Sequence, residues 1–132
     1  MIERAAFESL LERLYAALIA GNLEALCGLF AADAVFEISG ASQAKPIAIR
    51  AAGSGEFRPW LALLLKTFRL TNQILVTVII DGNKAAIRWR ATIHSRITGS
   101  EVITDLVDLI EIRDTQILSY IEFFSGSVPG AR

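Results

Sequence analysis

The second half of the chain is cut at short intervals by turn sequences, and this limits the fold more than any other feature. Asp81-Gly82-Asn83, Thr98-Gly99-Ser100 and Arg113-Asp114-Thr115 separate four runs: 73–81, 84–97, 101–112 and 116–124. Each run reads as a β-strand, and such short turns join them as an antiparallel meander. The first half is different. Phe7, Leu10, Leu11, Leu14, Ala17 and Leu18 recur at spacings of three and four, which predicts an amphipathic helix over 3–20. Gly21 stops it, and Asn22 caps a short second helix, Leu23 to Phe30. Ala34 to Ile38 reads as a strand, Ile47–Arg50 as a further short one, and Phe57–Phe68 as a third helix with Pro59 in its first turn. Ser39-Gly40-Ala41-Ser42 and Gly53-Ser54-Gly55 read as loops, and Ser125 to Arg132 as a loose tail. Helices first and a meander second predict an α+β fold, a curved sheet wrapped around about three helices.

The 132 residues predict a single domain, 1–132. The 53% hydrophobic content exceeds what one core of this size needs, so a pocket or an apolar subunit interface is expected. No apolar run reaches the roughly 18 residues of a membrane span. The charged start, Met1-Ile2-Glu3-Arg4, does not read as a signal peptide. The single Cys27 excludes an internal disulfide and fits a cytoplasmic location. A net charge of −1 gives no general attraction to nucleic acid or to anionic membrane.

Within the strand Leu106-Val-Asp-Leu-Ile-Glu-Ile112, alternation puts Asp108 on the same face as Leu106, Ile110 and Ile112. A carboxylate there is costly unless paired, hydrogen-bonded or neutralised. A two-residue turn at Thr98-Gly99 would pair Arg96 with Glu101 and set Trp89 beside Asp108, with Ile87, Ala91 and Ile93. The opposite face would carry Arg88, Arg90, Thr92 and His94 against Glu101 and Asp105. The register of the last strand stays open. A two-residue turn turns Ile117, Ser119 and Ile121 toward Asp108, whereas a three-residue turn with Thr115 left-handed turns Leu118, Tyr120, Glu122 and Phe124 there. His94 is the sole histidine, on a polar face. Cys27 reads as buried and inert. No cluster has metal-ligand spacing, and no cofactor motif is present.

Leu14 to Glu37, with its Ala-Gly-Asn turn and Leu-Phe-Ala-Ala-Asp-Ala segment, resembles SnoaL-like and ketosteroid-isomerase-like proteins of the nuclear-transport-factor-two superfamily. Ala86-Ile-Arg-Trp89, Thr98-Gly99, Val107-Asp108 and Tyr120-Ile-Glu-Phe-Phe124 extend the likeness. The resemblance implies a cone-shaped, cystatin-like α+β barrel with an apolar pocket, a small apolar ligand and a homodimer through the outer sheet face. It favours the register that turns Tyr120 inward. Known activities of such proteins include isomerisation, cyclisation, dehydration and epoxide hydrolysis, without cofactor. Steroid isomerases carry a tyrosine in the first helix and an aspartate base after the first strand. Leu14 and Ile38 stand in those places here, with Tyr15 one step off on a different helix face, which argues against steroid isomerisation. Asp108 falls where those enzymes keep a second, protonated aspartate, and where SnoaL-like cyclases place an acid/base aspartate. Glu122 resembles in position an acid of limonene-epoxide-hydrolase-like relatives. The expected catalytic residues are therefore Asp108, Tyr120 and Glu122. The expected pocket is lined by Leu14, Leu18, Ile38, Trp60, Trp89, Leu106, Ile110 and Phe124. A non-catalytic ligand-binding or dimerisation module is the alternative.

Overall fold

The computed structural model describes residues 3–42 and 45–124. Nine elements follow one another: α1 (Arg4–Ala20), α2 (Leu23–Cys27), β1 (Phe30–Ser42), β2 (Lys45–Ala52), α3 (Ser54–Thr67), β3 (Phe68–Asp81), β4 (Lys84–Ser95), β5 (Glu101–Arg113) and β6 (Gln116–Phe124). The strands form one curved, unclosed sheet in the order β2-β1-β6-β5-β4-β3. The meander β3 to β6 is antiparallel, as the turns predict. The sheet as a whole is mixed, because β1 lies parallel to β6. Three helices cover its inner face, so the fold is the α+β cone expected from the sequence.

Helix α1 buries Phe7, Leu10, Leu11, Leu14, Tyr15 and Ala17. It ends where Gly21 turns left-handed at φ 68° and passes its backbone N–H to Ala17 and Leu18. Asn22 then accepts from the Ala25 amide at 3.1 Å, capping α2. This helix stops at Cys27, earlier than the periodicity predicts. Phe30 is drawn instead into the ladder with β6, where the Ile117 amide donates to the Leu29 carbonyl at 2.8 Å. Tertiary pairing thus overrides local propensity, and β1 runs on to Ser42 through the segment expected to be a loop. Likewise β2 is longer than Ile47–Arg50. Helix α3 starts three residues early, after Gly53, whose amide is tied to the Ala34 carbonyl at 2.8 Å. Pro59 therefore lies inside the helix rather than in its first turn. Phe57 and Leu61 carry the buried stripe of α3, and Trp60 sits at its rim, 38% exposed. The expected tail, Ser125 to Arg132, lies outside the described residues.

Two register corrections position the interior. The β4–β5 connection is longer than two residues: His94 rather than Arg96 opposes Glu101, and Ile87 rather than Trp89 opposes Asp108. A shift of two keeps every side chain on its face, so Ile87, Trp89, Ala91, Leu106 and Ile110 are all buried as expected. The β5–β6 hairpin keeps a two-residue turn, with Asp114 at φ 52° and Thr115 at φ 68°. Ile112 opposes Ile117, but Glu111 opposes Ser119, so Leu118 is an extra residue in a β-bulge. The bulge reconciles the two alternatives left open by the sequence. Ile117 faces inward before it, and Tyr120 and Glu122 face inward after it.

On the outer face Asp105 holds both Arg88 and Arg90, at 2.8 and 2.7 Å. Glu101 lies 3.6 Å from His94. Cys27 is half-buried rather than buried.

A β-branched residue at positive φ is strained, whereas glycine is at home there. Thr115→Gly should raise stability by about 1 kcal/mol in urea unfolding. A loss would contradict the turn and bulge described here.

Candidate active site

Asp108 is completely buried, and three donors from three different elements converge on its Oδ2 atom. The Tyr15 hydroxyl, from α1, donates at 2.6 Å. The Trp89 indole N–H, from β4, donates at 2.8 Å, reaching across the ladder because Trp89 lies diagonal to Asp108. The Tyr120 hydroxyl, from β6, donates at 2.9 Å. The Tyr15 and Trp89 rings pack against each other with centroids 5.3 Å apart. The carboxylate is thus compensated by neutral donors and not by a cation, which is the condition for burying it.

Glu122 is the fourth partner. It stands directly opposite Asp108 in the β5–β6 ladder, and both carboxyls lie within reach of the Tyr120 hydroxyl. Two carboxyl groups can bond only through a proton. Asp108 Oδ1 has no hydrogen-bond partner among the described residues, so Glu122, opposite it in the ladder, can serve it only when protonated. Both groups are pushed up from the ordinary carboxylate range, chiefly by burial. At Asp108 the hydrogen bonds from Tyr15, Glu122, Tyr120 and Trp89 pull back against burial. At Glu122 the negative charge of Asp108 adds to it. The three donors on Oδ2 favour the charge on Asp108, and the two carboxyls titrate as a pair. Burial and the neighbouring carboxyls also hold the hydroxyls of Tyr15 and Tyr120 well above the usual phenol range, so both remain protonated donors.

Tyr120 has one proton and two carboxyl acceptors in reach: Asp108 at 2.9 Å and Glu122 Oε2 at 3.0 Å. While Glu122 is protonated, the Tyr120 proton is directed at Asp108. Rotation of that hydroxyl lets it follow the charge if Glu122 ionises.

A cavity of about 40 Å³ adjoins this network. Leu14 and Leu18 of α1 and Leu61, Leu64 and Leu65 of α3 form one side. Leu26, Phe30 and Phe36 close the other, and Tyr120 and Glu122 are its only polar walls. Leu14 and Leu18 stand where the sequence places them. Of the other expected lining residues, Ile38, Trp89, Leu106 and Ile110 are buried in the core, Phe124 packs against that core, and Trp60 is at the surface. Asp108 itself is sealed behind Glu122, so the carboxyl that meets the cavity is Glu122. A larger hollow, about 750 Å³, opens at the β3–β4 and β5–β6 turns, far from these carboxyls.

Tyr15 is the site residue that the sequence reading misplaced. It lies one step from Leu14, but four residues after Leu11, and so on the buried stripe. That spacing was the available signal. His94 faces Glu101 on the outer sheet surface, away from the cavity. Among the described residues no group of three or more His, Cys, Asp or Glu is placed to hold a metal ion. No helix among them is long and apolar enough to cross a membrane.

Removing the shared acceptor leaves three buried donors unpaired, at about 1–3 kcal/mol each. Asp108→Ala should therefore cost about 3–5 kcal/mol in chemical unfolding, and a cost below about 1 kcal/mol would refute the network. The pair also sets a pH dependence. Folded Glu122 keeps its proton to a higher pH than the unfolded chain does, so the native state binds more protons between the two values. Stability contributed in this way is fully present below the unfolded value of about 4.3 and is lost as pH rises through the folded one. Thermal melts of the wild type should fall with pH across that window, and Glu122→Gln should flatten the slope. An unchanged slope would place the proton elsewhere.

The family model for the SnoaL-like domain matches residues 11–120. No curated protein matches the sequence. Solved structures share the fold. A candidate isomerase from Bacillus subtilis is 22% identical, with a TM-score of 0.75 over 90% of this chain and 88% of its own. A Catenulispora acidiphila protein of ketosteroid-isomerase-like fold, in complex with trimethylamine, is 19% identical, with a TM-score of 0.70 over 88% and 85%. An LEH-like epoxide hydrolase from M. tuberculosis is 16% identical, with a TM-score of 0.69 over 88% and 80%. With its inward carboxyl pair and apolar cavity carried on that fold, the chain belongs to the SnoaL-like family.

Proposed function

We propose that the protein is a cofactor-independent acid/base catalyst acting on a small apolar molecule, with Glu122 as the residue that touches it. One observation carries this reading: the Glu122 carboxyl, pushed up from its ordinary range, lies at the wall of an otherwise apolar cavity, opposite the buried Asp108. A carboxyl kept protonated toward neutral pH is suited to give and take protons there. Asp108 stabilises that state and, with Tyr120, adjusts as the charge moves. Tyr15 and Trp89 hold Asp108 in place. Isomerisation, cyclisation, dehydration or hydrolysis of a carbonyl-bearing or cyclic substrate are the reactions such a group supports. The fold relatives give context, since one is a candidate isomerase, one an epoxide hydrolase, and one holds a small amine in its structure.

The alternative is a binding module whose pocket holds a ligand without reaction. In its favour, Asp108 Oδ2 is engaged by three protein donors and the cavity is small. Either reading accommodates a homodimer. Ile74, Ile79, Ile103, Leu109 and Phe123 are exposed on the outer sheet face, which is the face expected to meet a second copy. Leu109→Asp should convert a dimer to a monomer in sedimentation velocity. A wild type that sediments as a monomer at high micromolar concentration would overturn that expectation.

Proton exchange separates catalysis from binding. In D2O the wild type should exchange the α-protons of acetone, followed by NMR, and Glu122→Gln should slow this by about 10²-fold or more. Exchange that is absent, or equal in the variant, would leave the binding module.

A further inference from the structure

We infer that the cavity takes a small aliphatic ammonium group, held by the free oxygen of Glu122 and the aromatic wall opposite α3. The inference rests on the cavity being a ligand site, as proposed above, and names its occupant.

Hydrogen-bond accounting leads to it. The Tyr15, Trp89 and Tyr120 donors are all spent on Asp108 Oδ2. The carboxyl at the cavity, Glu122, stands opposite Asp108, whose unpartnered Oδ1 is the acceptor for any proton that Glu122 holds. A ligand that only accepts hydrogen bonds must therefore compete with a carboxylate for a donor, and a neutral carbonyl oxygen is the weaker acceptor. A ligand that donates meets no such competition. Glu122 Oε2 faces Tyr120, and the carboxyl retains lone pairs beside the cavity.

Charge favours the same choice. Two neighbouring carboxyls do not both stay neutral where three neutral donors converge on one of them, so the pair is anionic. Among the described residues that line the cavity there is no Lys, Arg or His. The arginines that form ion pairs among the described residues lie elsewhere: Arg88 and the partly buried Arg90 on Asp105, and the exposed Arg4 on Glu8, Arg113 on Asp33, Arg50 on Glu37 and Arg58 on Glu24. A monocation would neutralise the pocket without displacing any proton.

The walls complete the match. The rings of Phe30 and Phe36 lie 6.0 and 5.6 Å from that of Tyr120, forming an aromatic surface beside Glu122. Ring faces attract alkylammonium groups, and the leucines of α1 and α3 suit the alkyl part. A volume of 40 Å³ holds about three water molecules, which limits the occupant to a few non-hydrogen atoms.

Three probes of one size separate the possibilities by calorimetric titration: isopropylammonium chloride, isopropanol and acetone. They are a cation, a neutral donor and a pure acceptor. The wild type should bind isopropylammonium at least tenfold more tightly than either neutral probe. The Asp108→Asn/Glu122→Gln double variant, checked for folding by circular dichroism, should lose that preference. Because this variant alters the core, Phe36→Leu provides a second arm that leaves both carboxyls in place. It should weaken isopropylammonium two- to tenfold more than acetone. Tighter binding of acetone, or equal binding of all three, overturns the inference. In that case ketone exchange that depends on Glu122 would still uphold the acid/base reading. If no probe binds and no exchange occurs, both fall.

Discussion

The convergence of three neutral donors on one oxygen of Asp108 is the interaction on which the interior depends. A buried carboxylate without compensation is among the costliest groups a fold can hold. Here the cost is offset by a helix tyrosine, a strand indole and a second tyrosine from the neighbouring strand. Each comes from an element that packs against the others only in this fold. The network therefore fixes the depth of α1 over the sheet, the pairing of β4 with β5 and the register of β6. It joins α1 to the sheet by a directional bond, where most of the core offers only non-directional apolar contact.

The same network determines what the cavity can do. Because Oδ2 takes all three neutral donors, Oδ1 is left without a partner, and Glu122 opposite it can satisfy it only when protonated. The donors on Oδ2 favour a charge kept deep, on Asp108, with the exchangeable proton on the carboxyl at the cavity wall. Removing the β6 bulge would turn Tyr120 and Glu122 outward and leave Asp108 with two donors. One extra residue, Leu118, is therefore what aligns the hairpin with the site. An irregularity of this kind next to a functional group is a recurrent use of bulges.

Much of this could be read in the sequence, for identifiable reasons. Turn chemistry located the hairpins, and period-two alternation placed Asp108 inside with Trp89, Leu106 and Ile110. Alternation survives a register error of two, which is why the displaced β4–β5 pairing did no harm to the face assignment. It does not survive an error of one, so β6 stayed ambiguous until the bulge was seen. Local pattern also could not reveal that Phe30 leaves α2 to pair with β6, since that bond joins residues far apart in the chain. Tyr15 was misplaced because comparison with steroid isomerases drew attention to Leu14. The buried stripe of α1 is wide enough to include both. The high apolar content has two visible destinations, the core and the exposed outer sheet face.

The central claim is that one proton sits on Glu122 while Asp108 is ionised. Infrared difference spectroscopy of the carboxyl C=O stretch at neutral pH tests it most directly. The wild type should show a protonated-carboxyl band that Glu122→Gln abolishes. Absence of that band in the wild type, or its persistence unchanged in Glu122→Gln, would contradict the account.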